Sequence, residues 1–85
     1  MYYVYILISV EDEWRYVGFT SDLEKRFKDH NQGKVKSTKN HRPFLMASYI
    51  AVEKKVTAIN LEKYLKSGSG FAWMKKRLLG SSSRV

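Results

Sequence analysis

The chain has 85 residues, no cysteine and a formal net charge of +8, from 16 Lys and Arg against 8 Asp and Glu. That length makes one domain with a core just large enough to stand alone, and the lack of cysteine excludes a disulfide framework or a thiolate metal site. The longest apolar run, Tyr2 to Ile8, is far too short to span a bilayer and carries no charged leader, so a soluble, cytoplasmic protein is expected.

Tyr2 to Ser9 is rich in Tyr, Val and Ile, which suits a half-buried strand. Val10 to Glu13 is a polar break and Trp14 to Thr20 a second strand; the short connection predicts an antiparallel hairpin. With Glu11 and Asp12 at the centre of the turn, Tyr5 faces Gly18 and Leu7 faces Tyr16. Tyr5 and Tyr16 then share one face as diagonal neighbours. Ser21-Asp22-Leu23-Glu24 matches a capping box with Ser21 as the cap. The helix it opens runs to about Asn31 and stops at Gly33, with Leu23 and Phe27 as its buried edge. Lys34 to Arg42 is a polar, basic loop, and Pro43 sets Arg42 in an extended conformation.

Phe44 to Val52 reads as a third strand. Val56 to Lys66 carries Ala58, Leu61 and Leu65 at helical spacing. Ser67-Gly68-Ser69-Gly70 breaks that helix, and Phe71 to Leu79 forms a last short one with Phe71, Met74 and Leu78 on one side. Gly80 to Val85 is expected to be a flexible tail. The order β-β-α-β-α-α, without repeats or linkers, predicts an α+β domain over residues 1–79: a small antiparallel sheet flanked by helices.

Charge is segregated along the chain. From Gly33 to Val52 there is no carboxylate, while Lys34, Lys36, Lys39 and Arg42 are present; beyond Lys54 the only acid is Glu62. Such a distribution favours a polyanionic partner, because each phosphate neutralised releases counterions. Solvated surface lysines are the plainer explanation. No segment pairs a wide apolar face with a basic one, so an anionic membrane is not the expected partner.

Five residues could carry chemistry. A tyrosine hydroxyl at Tyr5 or Tyr16 can donate to a phosphate oxygen or accept a proton from water, and Gly18 would leave space for a phosphate to approach. Arg26 and His30 lie one helical turn apart. Arginine suits a bidentate grip on phosphate and stabilises the extra charge of a pentacovalent transition state; histidine can orient or deprotonate water, or hydrogen-bond a tyrosine. Each is equally an ordinary strand or surface-helix residue. Glu62, between Leu61 and Leu65, should face inward, where a carboxylate needs a partner or a metal. A hard cation such as Mg²⁺ (or Mn²⁺) needs only one or two carboxylates plus phosphate oxygens. A salt bridge to Arg26 or a neighbouring lysine is the alternative. Two histidines and no cysteine do not supply the usual tetrahedral zinc set.

Through these residues the chain resembles the GIY-YIG nuclease family. Tyr3-Val4-Tyr5 stands where the family has its first motif and Tyr16-Val17-Gly18 its second. Arg26, His30 and Glu62 match the family's arginine, its His-or-Tyr position and its metal-binding glutamate. Over roughly residues 2–78 the chain is similar to the small stand-alone bacterial members (the UPF0213 type) and to the N-terminal GIY-YIG domain found in excinucleases. Two departures stand out: Tyr3 replaces the leading glycine of the first motif, and Phe19 lies where some repair relatives carry lysine. The resemblance implies a three-stranded sheet and hydrolysis of a DNA phosphodiester assisted by one divalent metal, in repair or recombination. It implies Glu62 on the metal, Arg26 on the scissile phosphate, Tyr16 activating or orienting water with His30 as proton partner, and Tyr5 completing the pocket. Lys34, Lys36, Lys39 and Arg42 are the expected nucleic-acid contacts, with specificity from a homodimer, a protein partner or DNA shape. The alternative is a catalytically silent nucleic-acid-binding module on the same fold.

Overall fold

The computed structural model describes residues 1–77; the expected tail, Gly80 to Val85, and Leu78 and Leu79 of the expected last helix lie outside them. In chain order the elements are β1 (Tyr2–Ser9), β2 (Arg15–Thr20), α1 (Leu23–Asn31), a 3-10 turn over Lys39–His41, β3 (Phe44–Val52), α2 (Lys55–Lys66) and α3 (Gly68–Arg77). The strands form one antiparallel sheet in the order β2-β1-β3. This is the α+β architecture and the element order the sequence predicts.

Ser9 ties the β1–β2 hairpin. Its N–H donates to the Trp14 carbonyl at 2.8 Å, and its hydroxyl accepts from the N–H groups of Glu11 and Asp12 at 3.2 and 3.3 Å. Asp12 Oδ1 accepts from Trp14 N at 3.0 Å. The resulting register pairs Tyr5 with Gly18 and Leu7 with Tyr16, as alternation predicts. On its other side β1 pairs with β3, with a register shift between Ile6 and Leu7 that leaves Ala47 as the extra residue of a bulge.

Because β1 is central, its side chains feed two cores. Val4 and Ile6 join Val17, Ala58, Leu65 and Met74 beneath α2 and α3. Tyr5 and Leu7 join Phe44 on the opposite face, edged by Trp14, Tyr16, Leu23, Phe27 and Met46. No helix among the described residues is long and apolar enough to cross a membrane.

Two helix boundaries differ from expectation. The cap of α1 is Asp22, not Ser21: Asp22 Oδ1 accepts from Lys25 N at 3.2 Å, while Thr20 Oγ1 accepts from Asp22 N at 3.0 Å. Both residue types cap well, and the Thr20 hydroxyl selects between them; Glu24 is left in the first turn facing the positive helix end. Nor do the glycines after α2 form a break. Ser67 alone separates the helices, closing α2 with a 2.6 Å bond from its hydroxyl to the Tyr64 carbonyl and capping α3 by accepting from Gly70 N at 3.1 Å. Gly70 is needed for space, since a Cβ there would overlap the Tyr64 carbonyl. On α3, Met74 is buried as expected, but Phe71 is 42% exposed.

Candidate active site

The face of the sheet beneath α1 holds an unbroken chain of polar side chains. Tyr5, at the middle of β1, is buried, and its hydroxyl lies 2.8 Å from His30 Nε2. His30 closes α1 and is 0% exposed; its Nδ1 lies 2.8 Å from Thr38 Oγ1. The Thr38 hydroxyl donates to the Val35 carbonyl at 3.3 Å. With that hydrogen committed, Thr38 can only accept from His30 Nδ1–H, so Nε2 is bare and accepts from Tyr5.

Burial takes the His30 pKa down to about 4, with the Arg26 charge acting in the same direction and Asp29 against it, so the ring is neutral near pH 7. Burial likewise pushes the Tyr5 hydroxyl up to about 12. Arg26 beside it pulls down, while Tyr16 and Glu62 push further up. Arg26 is itself held above the ordinary arginine value, first by hydrogen bonding with Tyr5. Arg26 lies one turn before His30 on the same face of α1.

The expected pairing of His30 with Tyr16 is not what the fold builds. His30 bonds to Tyr5 and only packs against Tyr16, with ring centroids 5.0 Å apart. Both its nitrogens are taken and none of its surface meets solvent. Nor is the space at Gly18 open to a phosphate. A Cβ there would sit 2.7 Å from Tyr5 Oη and 2.9 Å from Tyr16 Cε2, so the missing side chain lets the two tyrosines close over the strand, ring centroids 6.2 Å apart.

Glu62 arrives from α2 at the β2 edge. Its side chain is 18% exposed and pairs with Lys66 Nζ at 3.0 Å, so of the expected alternatives the neighbouring-lysine bridge is present. The same ammonium lies 5.9 Å from the centre of the Tyr16 ring. Glu62 also adds a weaker upward push on the Tyr5 hydroxyl, while Lys66 links it to the Tyr16 ring.

Comparison with known proteins gives the family. The GIY-YIG catalytic domain model covers residues 1–77. The chain belongs to the GIY-YIG family. It is 42% identical over 67 residues to the UPF0213 protein of Clostridium perfringens, covering 78% of this chain and 71% of that one. To the UPF0213 protein of Haloquadratum walsbyi it is 33% identical over 67 residues, covering 78% and 74%. The solution NMR structure of the UPF0213 protein from Bacillus halodurans superposes with a TM-score of 0.56 at 32% identity, over 89% of this chain and 84% of that one. The segments that resemble the two motifs, Tyr3-Val4-Tyr5 and Tyr16-Val17-Gly18, lie on the paired strands β1 and β2.

The basic residues Lys34, Lys36, Lys39 and Arg42 are all exposed on the segment between α1 and β3, and Arg42 Nε donates to the Lys39 carbonyl at 3.1 Å. That segment is anchored at several points. Asn31 exchanges hydrogen bonds with the Phe44 backbone at 2.6 and 3.3 Å. His41 stacks on Trp14 at 3.9 Å and meets Asp12 at 2.9 Å. Sequence reasoning misses Thr38 entirely: no periodicity marks it, although it props the buried His30 ring. Lys66 was readable, four residues after Glu62 on one helix face.

Proposed function

We propose that this GIY-YIG protein is an endonuclease that hydrolyses DNA phosphodiester bonds with one divalent cation. The observation that carries the reading is the buried relay from Tyr5 through His30 to Thr38, with Arg26 one helical turn from His30 and with Tyr16 packed against the His30 ring. Hydrogen bonds offset much of the desolvation of a buried relay and hold its members rigidly, which is what a positioned catalytic group requires.

The donor set fits Mg²⁺ or Mn²⁺. No group of three or more His, Asp or Glu among the described residues could cage a metal, whereas Mg²⁺ keeps most of its waters and takes one or two carboxylates with substrate phosphate oxygens. Glu62 would hold it in place of the Lys66 ammonium, and the ion would supply positive charge against the phosphate in the transition state.

The chain's own residues divide the remaining work. Arg26 grips the scissile phosphate and stays charged throughout. Tyr5, with its pKa at about 12, keeps its proton and acts as a donor and positioning group. His30 accepts that proton's hydrogen bond and fixes the ring. Tyr16, partly exposed at the β2 edge, is the tyrosine that reaches water, and it orients or activates the nucleophile. Lys34, Lys36, Lys39 and Arg42 hold DNA phosphates away from the chemistry.

The pairing of Glu62 with Lys66 favours a second reading, a nucleic-acid-binding module that does not cut. The experiment that separates the two is a metal-dependent assay on branched, flapped and linear DNA, with RNA alongside. In the nuclease, Glu62→Gln lowers cutting at least 10–100-fold, with the thermal midpoint and DNA affinity nearly unchanged. Wild-type cutting by the variant would remove Glu62 from the metal; absence of cutting by the unaltered protein on every substrate would leave the binding module.

A further inference from the structure

A cavity of about 250 Å³ lies along the β2 edge, lined by Arg15, Tyr16, Leu65, Lys66, Phe71 and Met74. Pockets that enclose a whole small ligand run to about 300–1,000 Å³, so this one has the size for one group of a longer ligand. Tyr16 and Lys66 form its border with the proposed centre. Leu65 and Met74, both buried, give it an apolar floor.

Two features of this cavity serve no evident need of the fold. Phe71 stays 42% exposed although the next turn of α3 is buried at Met74. The Arg15 guanidinium lies 5.2 Å from the Phe71 ring centre, and its Nε is enclosed without a hydrogen-bond partner among the described residues. An enclosed donor left unpaired is costly and rare. The three ion pairs among the described residues do not include Arg15. A ring open to solvent, a guanidinium stacked on it and a second cation at Lys66 make up the chemistry that receives a nucleobase and its phosphate.

We infer that Arg15 and Phe71 form a subsite for an unstacked nucleotide adjoining the bond under attack: the base stacks on Phe71 and its phosphate draws the Arg15 fork around to satisfy Nε. The inference rests on the nucleic-acid reading above and narrows it, because a base can reach Phe71 only out of its duplex stack. The substrate class is therefore a strand with at least one unpaired nucleotide beside the cleaved phosphodiester.

The test measures binding of a short fluorescent single-stranded DNA by anisotropy in EDTA, where no cutting occurs. Phe71→Ala weakens binding about tenfold, since base–aromatic stacking is worth roughly 1–3 kcal/mol per base. Phe71→Leu, which keeps the apolar contact but removes the ring, weakens it similarly, whereas Phe71→Trp retains it. On an oligonucleotide of abasic sugar-phosphate the Phe71→Ala penalty disappears. Arg15→Gln reduces the salt slope by about 0.7. Wild-type affinity in Phe71→Leu, a Phe71 penalty that persists on the abasic strand, or no binding by the unaltered protein would each overturn the subsite. Failure of the protein to cut when metal is restored would overturn the nuclease reading and leave the subsite standing.

Discussion

The two faces of the sheet are built from different materials. Beneath α2 and α3 the core is aliphatic, with Val4, Ile6, Val17, Ala58, Leu65 and Met74 closing on one another without a buried polar side chain in the cluster. Beneath α1 the core is Tyr5, Leu7 and Phe44, ringed by aromatics and threaded by His30 and Thr38. Alternation along β1 sends neighbouring residues to opposite faces, so one strand serves both. The aliphatic face provides cohesion. The aromatic face can then tolerate a histidine with its pKa at about 4 and a tyrosine at about 12, because its polar groups are bonded rather than merely enclosed.

That contrast can be broken most sharply on the aliphatic side. Ile6→Ala removes a buried side chain from a packed cluster and should cost about 2–5 kcal/mol of stability, read by denaturant unfolding. The specific activity of whatever remains folded should be unchanged. On the aromatic side the pattern reverses: Arg26→Ala and Tyr16→Phe should each lower kcat strongly while moving the unfolding midpoint little. Because both act on one transition state, the double variant should lose less than the product of the two effects. Equal, small and independent losses would make these ordinary sheet and helix residues.

A pH titration of stability distinguishes the faces more gently. The unfolded chain protonates His30 near 6.5 and the folded protein at about 4, so the unfolded state binds the extra proton in that window. Stability should fall as pH drops from about 6.5 to about 4, and His30→Gln should flatten that limb. Asp12 and Asp29, whose carboxyls are held below the usual aspartate value by hydrogen bonds from Trp14 and Lys25 respectively, act further down. At the alkaline end Tyr5 ionises at about 12 in the fold and near 10 unfolded. Stability should therefore fall again from about 10 to 12, and Tyr5→Phe should reduce that loss. The smallest effect on either face should come from Lys34, Lys36 and Lys39 changed together to Glu. Stability and kcat at saturating DNA should hold, while affinity falls and the salt slope flattens by roughly one unit for each phosphate no longer neutralised.

Much of this was legible in the residues. A short polar turn between two alternating runs fixes the Tyr5–Gly18 register, and Pro43 ahead of a β-rich run fixes where β3 begins. What escaped was decided by atoms distant in sequence or by competition between similar residues. Ser21 and Asp22 are both good caps, and only the Thr20 hydroxyl chooses between them. Gly68 and Gly70 read as helix breakers, yet Gly70 serves the close approach to Tyr64 and Ser67 does the capping. Within the candidate site, Tyr5, Tyr16, Arg26, His30 and Glu62 could be named through their resemblance to the GIY-YIG motifs, but the partner of His30 could not. Thr38 comes from an irregular basic segment, and its role exists only once that segment folds back over α1.

The central position of β1 also has a kinetic side. With β2 it pairs across a short span, Ile8 with Arg15 at the near end, and such hairpins close in microseconds. With β3 it pairs Tyr2 to Val52, and a large loop must be closed before that contact offers any reward. Until β3 docks, the run from Tyr3 to Ile8 shows a bare edge of strong strand formers, a template for pairing with another copy. The surplus of eight positive charges sets nascent chains against one another during that interval, so the charge suited to a polyanion also guards the slow step of assembly.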